Sequence, residues 1–312
     1  MLYNYHEANL IMAKRRCNNC LTLKENFCEI CDQKLKFDNI QDFVLWCLND
    51  FNQFFTLISH NGKSYDNYFV MRFLQKNKTI RDSNIEALVD GLRILTFRFR
   101  TLTFKDSSLF IPGSLESFPK TYGLTQLKKG YFAHEFNKPE NFDYIGKYPE
   151  KHLFRSEYFS QEKKKEFDLW YESVKDQEFN FKRELEDYCW SDVELLAAGC
   201  IRFSEISQES SKLNEKDCGL NPFKENLTIS SFCNTLYRRN FMPKDSIPWI
   251  PANGYSHKEK TSQKADQWLK YISQSEGIFI RHSKNYGGKK LGPYKVDGYC
   301  KEKKRIYEFH GK

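Results

Sequence analysis

A short apolar run, residues 54–58, ends at the turn His60-Asn61-Gly62-Lys63 and gives way at once to a helical pattern over 64–75. This junction constrains the chain more than any other feature. An apolar run of that length bounded by turn residues reads as a buried strand. A buried strand feeding directly into a helix belongs to an α/β or α+β domain. Asp66 falls at the junction. A carboxylate there stands at the end of the sheet, a usual place for a metal-binding acid in an open α/β fold.

The same mixture continues along the chain. Ile40, Phe43, Val44, Cys47, Leu48 and Phe51 recur at helical spacing behind Asp38, a candidate N-cap. Two β-rich runs, 92–99 and 101–105, precede a loop at Pro112-Gly113-Ser114. Residues 123–160, rich in Gly, Pro, Asn and aromatics, read as irregular. Helical patterns resume at about 160 and run with breaks to 207, and the polar stretch 208–226 reads as a linker. The last unit, 227–312, carries helical patterns near 230–240 and 262–275. It ends in β-like runs at 277–281, 294–299 and 305–310. A length of 312 residues fits about two domains.

A second constellation is Tyr188-Cys189-Trp190-Ser191-Asp192. Tyr188 and Asp192 lie four apart in a helical pattern, so both project from one face. A carboxylate and a phenol side by side can share one water, the acid through a metal and the phenol by hydrogen bond. Taken alone, such a carboxylate is far more often an N-cap or a solvent-facing acid. Together with Asp66, about 125 residues away, they are more specific.

Four cysteines cluster near the N-terminus: Cys17-x2-Cys20, seven residues, then Cys28-x2-Cys31. Two CxxC pairs so close suit a tetrahedral Zn²⁺ site with four thiolate ligands, a small knuckle over 1–37. Four free thiols are the alternative. The other six cysteines are scattered and read as small core residues.

Apolar residues make up 40% and charged residues 29%, as in ordinary globular proteins. No apolar run approaches the ~18 residues of a membrane span, and the first residues lack the order of a signal peptide. The expectation is an intracellular protein without a membrane partner. The whole net charge of +8 resides in residues 255–312, with 14 Lys and Arg against 6 Asp and Glu. Such a block suits a polyanion, or simply a solvated lysine-rich face. The 27 Phe and 18 Tyr fit base stacking or A+T-rich codon usage equally well.

Asn61-x3-Tyr65-Asp66, followed later by Tyr188-x3-Asp192, resembles the second and third motifs of the 3′–5′ exonuclease domain of family B DNA polymerases. More narrowly, the chain looks like the protein-primed polymerases of Polinton/Maverick elements and their viral and organellar relatives. The stretches HNGKSYDNYFVMRFL, LTFKDSSLFIPGSLESFPKTYGL, KKGYFAHEFNKPEN, YCWSDVELLAAGC and VDGYCKEKKRIYEFHG carry the likeness. It implies a ribonuclease H-like domain over 38–207, behind the knuckle and ahead of a smaller basic α/β unit. Asp66 and Asp192 would hold Mg²⁺ or Mn²⁺, and Tyr188 would position the attacking water. Asn61, Tyr65, Ser114, Leu115 and Phe118 would grip a single-stranded 3′ end. The implied partners are single-stranded and primer-template DNA, with a terminal protein as a candidate primer. The implied setting is an element replicating from the nucleus.

The family's first exonuclease motif, an Asp-x-Glu ahead of the cysteines, has no counterpart in the first 60 residues. Asp176-Gln177-Glu178 and Asp192-Val193-Glu194 have its spacing but lie in helical patterns. No palm motif occurs. The expectation is an N-terminal portion of a polymerase, trimming DNA weakly or not at all by itself. Two other readings stand beside it. One is a DNA-binding remnant without catalysis. The other is a metal-dependent nuclease centred on Asp297 and Glu308, in strands resembling the acidic pair of restriction-endonuclease-like enzymes. The plainer reading of that pair, and the favoured one, is two β-strands with solvent-facing acids.

Overall fold

The computed structural model describes residues 7–17, 31, 33–77, 85–124, 127, 129–243, 246 and 262–310. The chain divides into two compact units, Met1–Phe241 and Met242–Lys312, each of mixed α/β structure.

The first unit opens with an antiparallel hairpin of β1 (Ile11–Lys14) and β2 (Lys34–Phe37), with Ile11 opposite Phe37 and Lys14 opposite Lys34. Helix α1 (Ile40–Cys47) follows, capped by the Asn39 side chain on the Asp42 amide rather than by Asp38. Strand β3 (Thr56–Ser59) leads through a single 3₁₀ turn into α2 (Asp66–Lys76), the expected junction shifted by one or two residues. Strands β4 (Ile85–Asp90), β5 (Arg93–Phe99) and β6 (Leu102–Asp106) complete a sheet of order β3-β6-β5-β4. The β3–β6 pair is parallel and the others antiparallel. Strand β4 has no clear signal in the sequence because it is nearly all exposed and lies at the sheet's edge.

The parallel register aligns Ser59 with Asp106, so the carboxyl ends of both strands finish side by side. Two loops leave from there, one into α2 and one into α3 (Phe118–Tyr122). One core lies between α1, α2 and the sheet, built on Val44, Val70, Leu74, Phe97 and Phe104. Among the described residues, the region 123–160 consists mainly of short 3₁₀ turns plus β7 (Ile145–Lys147). After α4 (Gln161–Val174) comes β8 (Glu178–Asn180), which pairs antiparallel with β7. Phenylalanines account for this part: Phe132, Phe179 and Phe181 form one cluster, and Phe154 and Phe167 another.

Helix α5 (Phe181–Ser211) is 31 residues long and organises the unit. Its Glu186-Trp190-Glu194 stripe receives the hairpin. Lys36 pairs with Glu186 at 2.8 Å, Lys14 with Glu194 at 2.7 Å, and the Lys14 and Lys34 ammoniums lie over the Trp190 ring. Leu195 and Cys200 join Phe110, Ile111 and Phe118 in a second core. The stretch 208–226, expected as a linker, is folded instead. It carries the end of α5, an Asp217 turn that accepts the Leu213 and Gly219 amides and pairs with Arg239, and α6 (Pro222–Glu225). Lys105, on β6 and 5% exposed, donates from Nζ to the Phe223 and Asn226 carbonyls and so ties α6 to the sheet. Helix α7 (Ile229–Asn240), held by a Thr228–Ser231 capping box, closes the unit.

The first helix of the second unit among the described residues is α8 (Gln263–Glu276). Strands β9 (Arg281–His282), β10 (Lys289–Leu291), β11 (Tyr294–Val296), β12 (Gly298–Cys300) and β13 (Arg305–Tyr307) follow. They form a sheet of order β13-β12-β9 and a separate β10–β11 ribbon. Leu269 of α8 packs on Ile278, Ile280 and Cys300. Among the described residues no helix is long and apolar enough to cross a membrane.

Candidate active site

The site is built where β3 and β6 end. Asp106 is fully buried, and its carboxylate accepts the Asn61 and Lys63 amides at 2.9 Å each and the Ser108 amide at 2.8 Å. The Lys63 ammonium stands 3.9 Å away. A buried carboxylate needs such donors, and here they fix the turn after β3. That turn holds Asn61 in the left-handed region, φ 63°, where Asn is better tolerated than most residues. It delivers Asp66 to the first residue of α2. Asp66 leans back over Gly62: a Cβ added at Gly62 would lie 3.2 Å from its Oδ2. Residue Asp66 is open to solvent, yet its carboxyl is crowded by protein. That desolvation, followed by the negative charge of Asp106, raises its pKa above the usual carboxylate value.

His60 ties this turn to the next loop. Its Nδ1 lies 2.9 Å from Ser107 Oγ, its Nε2 lies 3.0 Å from the Gly113 carbonyl, and its ring meets Phe118 edge-on at 5.2 Å. Of the residues expected to grip a strand, Asn61, Tyr65 and Ser114 are exposed, Tyr65 at 65%. Leu115 and Phe118 are buried, Phe118 completely. Phe118 thus supports the loop from beneath, because α5 offers it a Gly199-sized hollow.

Tyr188 and Asp192 project from α5 on the face opposite the Glu186-Trp190-Glu194 stripe. The Asp192 carboxylate lies within electrostatic range of His60 and within reach of the Tyr188 phenol. Its Oδ2 is 3.3 Å from the Lys129 ammonium; its Oδ1 is buried and makes no hydrogen bond among the described residues. Burial raises the Asp192 pKa and Lys129 opposes the rise. Burial, then the Asp192 charge, pushes the Tyr188 phenol upward, so it stays protonated. Phe132 stacks on Tyr188 at 5.4 Å, His134 meets it edge-on at 5.5 Å, and the Lys129 ammonium sits over its ring at 5.5 Å. Asp66 ends the turn that begins at His60, and Asp192 lies within electrostatic range of His60.

Asp106, Lys129 and the bridging role of His60 were not singled out from the sequence. Asp106 had a usable signal, an acid ending a strand before Ser-Ser. Lys129 had none, since it lies in the irregular region.

The other expected sites are placed differently. Cys17 and Cys31 meet where the hairpin opens, with the Cys17 amide 3.0 Å from Cys31 Sγ; Cys20 and Cys28 lie outside the described residues. In the second unit, Asp297 is half-buried and its Oδ2 accepts the Phe309 amide at 2.9 Å, while Glu308 is exposed. Among the described residues no group of three or more His, Cys, Asp or Glu gathers as a metal cage.

A family model, DNA polymerase type B, organellar and viral, matches residues 51–310. The chain belongs to that family. It is 24% identical over 203 residues to a probable DNA polymerase of Neurospora intermedia, covering 63% of this chain and 20% of that protein. It is 27% identical over 200 residues to a probable DNA polymerase of Ascobolus immersus, covering 61% of this chain and 16% of that one. The matched stretch thus spans a fifth or less of these curated relatives. No solved structure matches.

Proposed function

We propose that the first unit is the 3′–5′ exonuclease region of a type B DNA polymerase, a ribonuclease H-like domain serving template-directed DNA synthesis. The observation that supports the reading is that Asp192, within reach of the Tyr188 phenol on α5, lies in electrostatic range of His60, where the turn that ends in Asp66 begins. His60 and Asp66 stand at the carboxyl end of a parallel strand pair, where open α/β sheets bind ligands.

The donor set fits a hard divalent cation. Among the described residues Asp192 Oδ1 is a buried oxygen with no hydrogen-bond partner, and burial and then the charge of Asp106 press on the Asp66 carboxylate. Both are oxygen donors of the kind Mg²⁺ and Mn²⁺ take. Asp66 and Asp192 would hold the metal, which when bound lowers the pKa of water and stabilises charge on the attacking and leaving oxygens. The protonated Tyr188 would orient that water by hydrogen bond. Lys129, beside Asp192, is placed to meet a phosphate. Exposed Asn61, Tyr65 and Ser114 would contact the strand, and sequence-independent gripping by an aromatic and polar groups suits frayed ends. Leu115 and Phe118 would act from below by holding the Ser114 loop. A terminal protein as primer remains part of this reading through the family likeness alone.

We also infer a zinc knuckle at the tip of the first hairpin. The support is that Cys17 and Cys31 face each other with an N–H···S contact, while Cys20 and Cys28 stand three residues inward from each in the sequence.

The test is trimming of a 5′-labelled single-stranded oligonucleotide with Mg²⁺ or Mn²⁺. Shortening from the 3′ end, abolished by Asp66→Ala and by Asp192→Ala, is the expected result. Metal-dependent trimming that survives both substitutions contradicts the assignment. Internal nicking of duplex, lost in Asp297→Ala, would move the chemistry to the second unit. Salt-dependent DNA binding with no metal-dependent cleavage would leave a binding module.

A further inference from the structure

The loop between α1 and β3 sets two phenylalanines in water: Phe51 is 86% exposed and Phe54 78%. Helical spacing reads Phe51 as the last residue of the α1 apolar stripe. The helix ends at Cys47 instead, and Phe51 stands in a separate 3₁₀ turn, Asp50–Asn52, which the Asn49 side chain caps by accepting the Phe51 amide at 3.1 Å. Phe51 lines a cavity of about 180 Å³ with Arg15, Gln33, Trp46, Asn49 and Asn52. Arg15 directly follows β1 and Gln33 directly precedes β2, so the hairpin supplies one wall and α1 with its following turn the other.

The walls are fixed by their own packing. The Trp46 ring lies 5.6 Å from Phe37 and 6.2 Å from Phe55. Asn52, 4% exposed, donates from Nδ2 to the Trp46 carbonyl at 2.6 Å. The Arg15 guanidinium sits over the Phe55 ring at 4.8 Å, and its Nε is buried and makes no hydrogen bond among the described residues. A buried N–H without an acceptor is costly, and an acceptor on a ligand removes that cost. No carboxylate is among the described lining residues, so the cavity does not select a cation. Its volume is below the ~300–1,000 Å³ of sites for drug-sized ligands, which suits a single planar ring system.

We propose that this cavity binds a nucleobase. A base offers what the lining residues ask for: a π-face for the Phe51 and Trp46 rings, ring nitrogens or carbonyls to accept from Arg15 Nε, and a mixed donor and acceptor edge for the amides of Gln33 and Asn49. The site is separate from the exonuclease centre. The Phe51 turn leads into the start of β3, whereas the turn to Asp66 leaves the end of that strand. The base belongs either to a DNA strand or to a free deoxynucleotide; the recognising chemistry is the same. The inference goes beyond the exonuclease reading and does not depend on metal chemistry at Asp66 and Asp192.

The experiment is isothermal titration calorimetry of the full chain in buffer without Mg²⁺ or Mn²⁺. The titrants are the four deoxynucleoside 5′-monophosphates, a short single strand, and an abasic strand of the same length. No trimming runs under these conditions, so failure here and failure of the exonuclease assignment are separate results. Phe51→Ala, at an exposed position, should weaken binding about 5-fold or more. Arg15→Lys keeps the charge but loses the Nε donor and should also weaken it. Phe54→Ala removes a second exposed ring that does not line the cavity and should leave affinity within about 2-fold. This pattern with the monophosphates makes the site one for a free nucleotide; the same pattern with the strand alone makes it one for a base within DNA. No binding of either, equal affinity for the abasic strand, equal losses from Phe51→Ala and Phe54→Ala, or no effect of Arg15→Lys would overturn the proposal.

Discussion

Gly199 of α5 makes room for Phe118. A Cβ at position 199 would lie 2.2 Å from Phe118 Cδ2, and the ring it leaves space for is fully buried beneath His60. A glycine inside a long helix costs about 0.5–1 kcal/mol relative to alanine, so this one is retained against helix propensity. Gly199→Ala should destabilise the chain by roughly 1–3 kcal/mol, as overpacking does, despite the gain in helicity. The denaturation midpoint in urea checks this; a midpoint at or above that of the parent chain would contradict the packing.

Phe118 itself distinguishes support from contact. A ring that only touched DNA could be truncated with little loss of stability. Because it is buried, Phe118→Ala should cost about 3–5 kcal/mol. Ser114→Ala, at an exposed position, should change stability by no more than about 0.5 kcal/mol while weakening binding to a single strand. Urea denaturation of both variants, beside strand affinity, is the measurement.

Lys105 predicts a pH effect of definite sign. Desolvation lowers its pKa to about 8, against an ordinary lysine value near 10.4 in the unfolded chain. Between those values the unfolded chain binds more protons, so stability rises with pH. The contribution is complete above the unfolded value and is lost as pH falls through about 8. Lys105→Met removes the donor to the Phe223 and Asn226 carbonyls and should cost about 1–3 kcal/mol. It should also flatten the rise between pH 8 and pH 10. Urea melts at several pH values read both effects; an unchanged slope in the variant would reject the assignment.

Lys129 competes with any cation for Asp192. Its ammonium opposes the upward shift that burial imposes on that carboxyl. Lys129→Met should therefore move the acid limb of Mn²⁺ binding to higher pH. It should tighten binding at pH 8 by removing the ammonium that competes for that carboxylate. A Mn²⁺ titration at pH 5, 6 and 8 checks the crossing; weaker binding at pH 8 would assign Lys129 a different role.

Local grammar made the β3–α2 junction legible, as well as the shared face of Tyr188 and Asp192 and most helices. Each of these rests on periodicity or on turn residues a few positions apart. What could not be read depends on partners distant in sequence. Strand β4 is an exposed edge without an apolar stripe. Residues 208–226 are polar because Asp217 makes turn and ion-pair contacts, not because they link two bodies. The burial of Phe118 depends on Gly199, 81 positions away, and the surroundings of Asp192 depend on Lys129, from a region with no period at all. Much of the Phe content, read as stacking or codon usage, is core, both around β7, β8 and α4 and in the sheet and α5 cores.

The most direct test of the central claim is Mn²⁺ binding to the full chain, followed by the electron paramagnetic resonance signal of the free ion. The account predicts saturable binding that is weakened at least 10-fold by Asp66→Ala and by Asp192→Ala, and left unchanged by Asp297→Ala. Binding indifferent to Asp66 and Asp192 would contradict it.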